Sequence, residues 1–401
     1  MRGENNELTT ASLPLIGVRV IELGAVVAGP FCGGLLADYG AEVIKIEPVG
    51  VGDSHRQIGR RKDGISLWWG VSARSKRCVS LDLKDPAAKA LLLKLIDGAD
   101  VVTENFRPGV MKRLGLDWEV LSERNPRLTM LSISGYGQSG PRAGKPGFGK
   151  IAEGLSGMLP LTGAPLNNAV FVGFSLADTC SAMFGVFGIM MALYLRDIGG
   201  GRGRLIDLAL YESLFRMLDC QLAIRRPAVD EPRKHKNHPY AWGTGESLPE
   251  QFIHLQCRGG EWLAVMVPNR TVGALISGKL GWATTYEEAM FTEQLQSWSK
   301  MLSPERVLAV LKPLGAEVAP IFDGLSIARD PYFRARSDVL DAQTVVGPLS
   351  VPGPYPKDPS RIAKLDRFRP TAVGADNREI FGGELGLTDI ELELLAKRAA
   401  I

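Results

Sequence analysis

The hydrophobic and polar positions change period along this chain, and the changes mark its elements. Val18–Leu23 is a short apolar run that reads as a strand. Gly24–Gly29 follows as a turn, and Pro30 suits the first position of a helix, where its missing N–H is no loss. The helix is predicted over Phe31–Tyr39, with Gly40 as its stop and Glu42–Glu47 as a second strand. The alternation continues through strand-like Val79–Leu83, helical Pro86–Asp97, strand Val101–Glu104, helical Trp118–Arg124 and strand Leu128–Ser132. Such a rhythm implies α/β architecture, a Rossmann-like parallel sheet with helices on both faces. Ser181–Leu195 is small and apolar throughout and reads as a buried helix.

Near residue 225 the pattern changes. Arg225–Gly245 is basic, then rich in His, Pro and Gly, and reads as a linker or loop. Phe252–Cys257 and Trp262–Val267 flank Arg258-Gly259-Gly260-Glu261 as a hairpin, and helices are predicted near 286–301 and 304–313. A smaller α+β domain is therefore expected over 225–335, after a large domain over 1–224. The Pro-rich stretch 347–360 reads as an extended segment, and Thr388 caps a last helix that runs to Arg398. Residues 336–401 form the final division.

Composition narrows the partners. The chain has 401 residues, 45% hydrophobic and 23% charged, with a net charge of +3 spread along its length. Nothing marks a nucleic-acid surface. Five widely spaced cysteines without a CxxC pair argue for a reducing compartment and against a disulfide framework or zinc site. Met1–Ser12 is polar, without an apolar signal core. No apolar run reaches the ~18 residues of a membrane span. The expectation is a cytoplasmic protein with no membrane or nucleic-acid partner and no metal.

Candidate chemistry gathers at strand ends, where open α/β sheets bind ligands. The first turn, Gly24-Ala25-Val26-Val27-Ala28-Gly29, lacks the GxGxxG spacing of a dinucleotide site, so a nicotinamide enzyme is not expected despite Glu47. Arg74-Ser75-Lys76-Arg77 and Glu104-Asn105-Phe106-Arg107-Pro108-Gly109 with Lys112-Arg113 are basic sets; together they suit an anionic, nucleotide-bearing ligand, singly a solvated face. Gly135–Gly140 holds three glycines that allow close backbone approach, or form a plain turn. Trp242-Gly243-Thr244-Gly245 reads as a linker or a lid. The four histidines sit in no nucleophile or metal motif. Asp178 ends an apolar run, Val172–Ala177, just ahead of the buried helix. It is either a helix N-cap worth about 1 kcal/mol or a nucleophile kept ionised by the helix dipole.

Taken in order, these pieces resemble the class III CoA-transferases, the family of formyl-CoA and carnitine CoA-transferases and α-methylacyl-CoA racemase. The resemblance runs through Pro14–Leu23, Ala28–Pro30, Leu36–Glu47, Lys76–Lys84, Glu104–Gly109, Ser134–Pro141 and Asp207–Glu212, and ends at Asp376-Asn377-Arg378-Glu379-Ile380. It implies a Rossmann-like large domain, a smaller domain, a C-terminal segment crossing back to the large one, and two chains interlocked as a homodimer. Asp178 matches the nucleophilic aspartate. Asn105, Phe106, Arg107 and Arg113, with Leu81–Lys84 (Leu81 and Lys84 at its ends), match positions that hold coenzyme A. Val27 and Ala28 match first-turn positions near the thioester. The implied substrates are an acyl-CoA and a small carboxylic acid, exchanged through an aspartyl anhydride and an enzyme–CoA thioester. Gly135–Gly140 would stabilise oxyanions and 242–245 would close over the site.

The chain departs from the family in ways that bear on substrate. The racemases carry a histidine where Gly147-Phe148-Gly149 stands, so two-base exchange at the α-carbon lacks its imidazole. The Tyr-Asp or Tyr-Glu pair common in the transferases is missing there too. Val27 replaces the glutamine of the formyl-type enzymes, and their longer glycine run is reduced to Gly243-Thr244-Gly245. Formate and oxalate are therefore not the expected acids. A CoA-transferase leads, an acyl-CoA racemase or epimerase comes second, and a silent CoA-binding protein is the reading from another class.

Overall fold

The computed structural model describes residues 13–162, 169–219, 222, 251–282, 288–344, 347–357 and 372–401. The linker Arg225–Gly245, with its glycine motif and His235 and His238, lies outside them. The chain divides into two compact units: Met1–Gly163 with Asn168–Leu222 and Ser337–Ile401, and Ala164–Asn167 with Ala223–Arg336.

The larger unit is built on six parallel strands: β1 (Arg19–Glu22), β2 (Glu42–Glu47), β3 (Lys76–Ser80), β4 (Val101–Glu104), β5 (Thr129–Ser134) and β6 (Leu205–Ala209). Their spatial order is β3-β2-β1-β4-β5-β6. The order reverses between β1 and β4, which opens a crevice beyond their C-terminal ends. Along β1 the side chains alternate between two cores. Val20 joins Val43, Val101 and Leu131 under helix α1 (Ala28–Asp38) and the long helix at Leu176–Ile198. Ile21 joins Ile44, Val79 and Val102 under helix α2 (Pro86–Asp97). α2 starts where local chemistry dictates, with the Asp85 carboxylate accepting the amides of Ala87 and Ala88 and Pro86 in the first turn.

The C-terminal segment docks on the edge strand β3. Asp376 Oδ2 accepts the Cys78 amide at 2.6 Å, Asn377 Oδ1 the Ser80 amide at 2.9 Å, and the Asp82 amide donates to the Ala400 carbonyl. An edge that would otherwise offer open backbone groups is thereby covered. Thr388 caps Asp389–Lys397 in a reciprocal box with Glu391.

Three sequence expectations change here. β3 begins at Lys76 rather than Val79, which draws the basic cluster into the sheet. α1 begins at Ala28, so Pro30 is its third residue, still within the turn whose amides need no intrahelical partner. The buried helix is longer than Ser181–Leu195. Its full extent, Leu176–Ile198, is long and apolar enough to cross a membrane by length and composition, and half of its apolar window is buried inside the unit.

The smaller unit is a three-stranded antiparallel sheet, β7 (Gln251–Gln256), β8 (Trp262–Val267) and β9 (Glu317–Ile321), in the order β9-β8-β7. Gly259 and Gly260 take positive φ in the β7–β8 turn. Helices Arg270–Lys279, Glu288–Ser299 and Pro304–Leu311 contribute to its core with Ile276, Leu295 and Leu311.

Candidate active site

The crevice is shaped first by the turn after β1. Gly24 and Gly29 approach so closely that a β-carbon on Gly24 would lie 2.8 Å from the Gly29 Cα. Only glycine allows this pinch. Asn105, just past β4, clasps the loop between them: its Oδ1 accepts the Ala25 amide at 2.6 Å and its Nδ2 donates to the Ala25 carbonyl at 2.8 Å. Val26 is held at φ 65°, a left-handed conformation unfavourable for a β-branched residue, with its amide on Asp53 Oδ1.

Beneath this loop lies a buried cluster of charges. Lys45 Nζ contacts Glu22 Oε1 at 3.0 Å, Asp53 Oδ2 at 2.8 Å and the Gly24 carbonyl at 2.7 Å. Lys76 Nζ contacts Glu22 Oε2 at 2.8 Å and the Pro30 carbonyl at 2.6 Å. Burial opposes the charge on Lys45, but the Glu22 and Asp53 carboxylates outweigh it and hold its pKa above the ordinary lysine value. His55, 1% exposed, packs edge-on against Trp68 and Trp69. Burial lowers its pKa to about 4, so the imidazole is neutral at physiological pH. Neither the cluster nor the buried histidine was legible in the sequence, where their residues sit in separate segments.

A cavity of about 450 Å³ opens above the loop. Val27, Ala28, Asn105, Phe106, Arg107 and Asp178 all line it. Leu81, Lys84 and Arg113 do not. The Leu81 side chain is buried in the core, while Lys84 and Arg113 are exposed. The wall also includes Phe148 and Gly149, from the stretch where the racemases carry their histidine, and Trp68, Lys145 and Lys150, which the sequence reading had not singled out as contacts. For Lys150 a signal was present: it stands three residues before Glu153, the spacing of an ion pair on one helix face.

Asp178 stands at the third position of α6, the helix Leu176–Ile198 (α3 to α5 being Val110–Leu114, Trp118–Arg124 and Gly149–Leu155). Ser175 takes the N-cap position, so Asp178 is not the cap. Burial raises its pKa to about 6; its own backbone amide opposes the rise, Glu153 adds to it and Lys150 opposes it. The helix start therefore does not hold the carboxylate at its ordinary acidity, as the dipole alone would suggest. It is still roughly nine-tenths ionised at pH 7. Nearby, burial raises Glu104 to about 7, with Ser132 and the Phe106 amide opposing it.

Two expectations are revised by neighbours. In Arg74–Arg77, Arg74 pairs with Asp38, Lys76 is buried on Glu22, and Arg77 pairs with Glu42, Glu379 and Glu384, so the cluster is consumed inside the unit. Of the Gly135–Gly140 turn, Gly135 reaches the cavity, while the Gln138 amide is taken by Asp207. Among the described residues no His/Cys/Asp/Glu group could hold a metal, and Cys32, Cys180 and Cys257 are buried thiols outside any disulfide.

Comparisons with known proteins identify the family. The sequence profile of the family described as CoA-transferase family III matches residues 15–377. The succinyl-CoA–D-citramalate CoA-transferase of Chloroflexus aurantiacus is 33% identical over 97% of this chain and 98% of its own. The beta subunit of succinyl-CoA–L-malate CoA-transferase from the same organism is 33% identical over 98% of this chain and 99% of its own. A solved CAIB/BAIF family protein from Brucella suis superposes with a TM-score of 0.80 at 27% identity, covering 93% of this chain and 99% of that one. The chain belongs to CoA-transferase family III, enzymes that move coenzyme A from an acyl-CoA to a carboxylic acid.

Proposed function

We propose that Asp178 is the nucleophile of this transfer. Its carboxylate oxygen attacks the acyl-CoA carbonyl, the C–S bond breaks, and a mixed anhydride and CoA thiolate result. The thiolate attacks the aspartyl carbonyl, releasing the first acid and leaving an enzyme–CoA thioester. The second acid attacks that thioester, and the returning thiolate takes its acyl group, freeing Asp178. Each bond broken is about as activated as the one formed, so no ATP is needed. The observation that carries the reading is that Asp178 faces one cavity together with the Asn105–Arg107 wall and the Val27–Ala28 turn.

In this reading Val27, Ala28, Asn105, Phe106 and Arg107 receive the pantetheine end of CoA, and the exposed Lys84 and Arg113 act farther out, at the nucleotide, while Leu81, its side chain buried in the core, only supports that strand end. Short dicarboxylic acids are the proposed substrates, by analogy with the relatives named for succinyl-CoA, citramalate and malate. Arg107 and Lys145 in the cavity wall supply positive charge suited to them. No histidine lines the cavity among the described residues, which supports transfer over racemisation. A homodimer belongs to the same proposal. Met183, Phe187, Met190, Tyr194 and Ile198 form an exposed apolar stripe along α6, with Phe187 60% and Tyr194 66% exposed, a face suited to burial by a second copy. A reducing, cytoplasmic compartment belongs to the same proposal, supported by five widely spaced cysteines without a CxxC pair.

The test is a donor–acceptor screen by mass spectrometry, with hydroxylamine or borohydride trapping on each acyl-CoA. Modification is expected at Asp178. Turnover with no label there, or label on another residue, refutes the mechanism.

A further inference from the structure

Lys150 lines the same cavity as Asp178, which would ordinarily mark it as a substrate contact. Its hydrogen bonds say otherwise. The ammonium donates to Glu153 Oε1 at 2.8 Å, to the Val172 carbonyl at 2.6 Å and to the Phe174 carbonyl at 2.8 Å. A lysine has three N–H donors, and all three are spent. It also stands 5.6 Å from the centre of the Phe171 ring. Residues 171–175 belong to no helix or strand, so two of the carbonyls leading into α6 are held by this side chain. Asp178 follows four residues after Phe174.

The other end of the pair is Glu153, 3% exposed, on the same short helix α5. That helix therefore meets the nucleophile twice. Gly149 gives the Asp178 carboxylate its space, and Lys150 holds the segment from which Asp178 is launched. We propose that Lys150 is a positioning residue for Asp178, and that its ion pair with the buried Glu153 sets the charge environment of the nucleophile. The inference rests on Asp178 being the nucleophile.

The charged groups around Asp178 are Glu153 and Lys150 from α5, with Lys145 and Arg107 elsewhere on the cavity wall. Glu153 makes the Asp178 carboxylate more basic and Lys150 makes it less so. A more basic carboxylate attacks a thioester more readily but leaves an anhydride less readily. Since Asp178 does both in one cycle, opposed neighbours keep either step from becoming prohibitive.

The experiment uses the full chain with Lys150→Met, Lys150→Arg, Glu153→Gln and the Lys150→Met/Glu153→Gln double variant. Succinyl-CoA is the probe for trapping with hydroxylamine, for kcat and KM, and for the pH profile of acylation. Hydrogen exchange over 171–178 is measured beside it. In Lys150→Met, kcat should fall about tenfold or more with KM for succinyl-CoA little changed. The acid limb should move to higher pH, and amides of 171–178 should exchange faster. Glu153→Gln should move the acid limb to lower pH, and Lys150→Arg should recover most of kcat. If Lys150→Met does not fold, Glu153→Gln and the double variant carry the test through the direction of the limb. A rise in KM alone, with exchange and pH limb unchanged, would make Lys150 a substrate contact and overturn the inference. Unchanged limbs in every variant, with Asp178 labelled normally, overturn it while leaving the nucleophile intact. Failure of succinyl-CoA to label Asp178 in the unaltered enzyme removes its premise instead.

Discussion

Gly149 faces Asp178 so closely that a β-carbon on Gly149 would lie 2.4 Å from the Asp178 Oδ2. The glycine opens helix α5 and carries no positive φ, so the backbone itself tolerates alanine. What the position lacks is room. Gly149→Ala should therefore push the carboxylate aside while leaving the fold intact. A misplacement of about 1 Å can cost roughly 100-fold, so kcat should drop by about that factor. Thermal unfolding should stay within about 0.5 kcal/mol of the parent. Steady-state kinetics beside calorimetry check both; full activity in the alanine variant would mean that the carboxylate does not work from this position.

The acidity of Asp178 sets a pH limit. Attack on a thioester needs the ionised form, and burial raises the pKa to about 6. Acylation should decline about tenfold per pH unit below that value. A profile flat down to pH 4.5 would place the reacting group elsewhere.

The same shift has a stability consequence of definite sign. Between the ordinary value of 3.8 and about 6, the folded protein keeps a proton that the unfolded chain has released. Stability therefore falls as pH rises through that window and stays lower above it. The cost at pH 7.5 is up to about 3 kcal/mol. Asp178→Asn, which never ionises, should be more stable than the parent at pH 7.5 by up to that amount, and equal to it near pH 3, below both values. Denaturant melts at the two pH values distinguish this from a uniform effect. A variant that is inactive yet more stable would be a direct case of stability given up for function.

Some of this was legible in the sequence because its causes are local. Pro86–Asp97, Val101–Glu104 and Trp118–Arg124 begin and end where read, since Asp85 and Asp117 cap their own helices within three residues. The strand at Lys76 was read three residues late because a lysine and an arginine at its start look like surface. They are charged residues whose partners, Glu22 and Glu384, lie far away in sequence. Asp178 was visible locally as either a cap or a nucleophile, and only the order of family motifs favoured the second. The grip of Lys150 on Val172 and Phe174 could not be read, because it joins a side chain to carbonyls that have no sequence signature.

The charge cluster under the first turn yields the last prediction. Lys45 balances Glu22 and Asp53 where all three side chains are essentially inaccessible to water. Lys45→Met would leave Glu22 with Lys76 alone and take from the buried Asp53 its lysine, and removing one partner of such a group costs about 3–5 kcal/mol. It would also release the Gly24 carbonyl. Asp53, which holds the Val26 amide in its left-handed turn, would then have lost its counter-charge. Two losses should therefore appear together: a lower denaturation midpoint and a raised KM for acyl-CoA, because Val26, Val27 and Ala28 wall the cavity. Lys45→Met with Asp53→Asn relieves the excess negative charge and should recover part of the stability. It should not recover the KM, since an amide is a weaker acceptor for the strained Val26 N–H. Recovery of both would show that the cluster serves stability alone and that the loop keeps its shape without it.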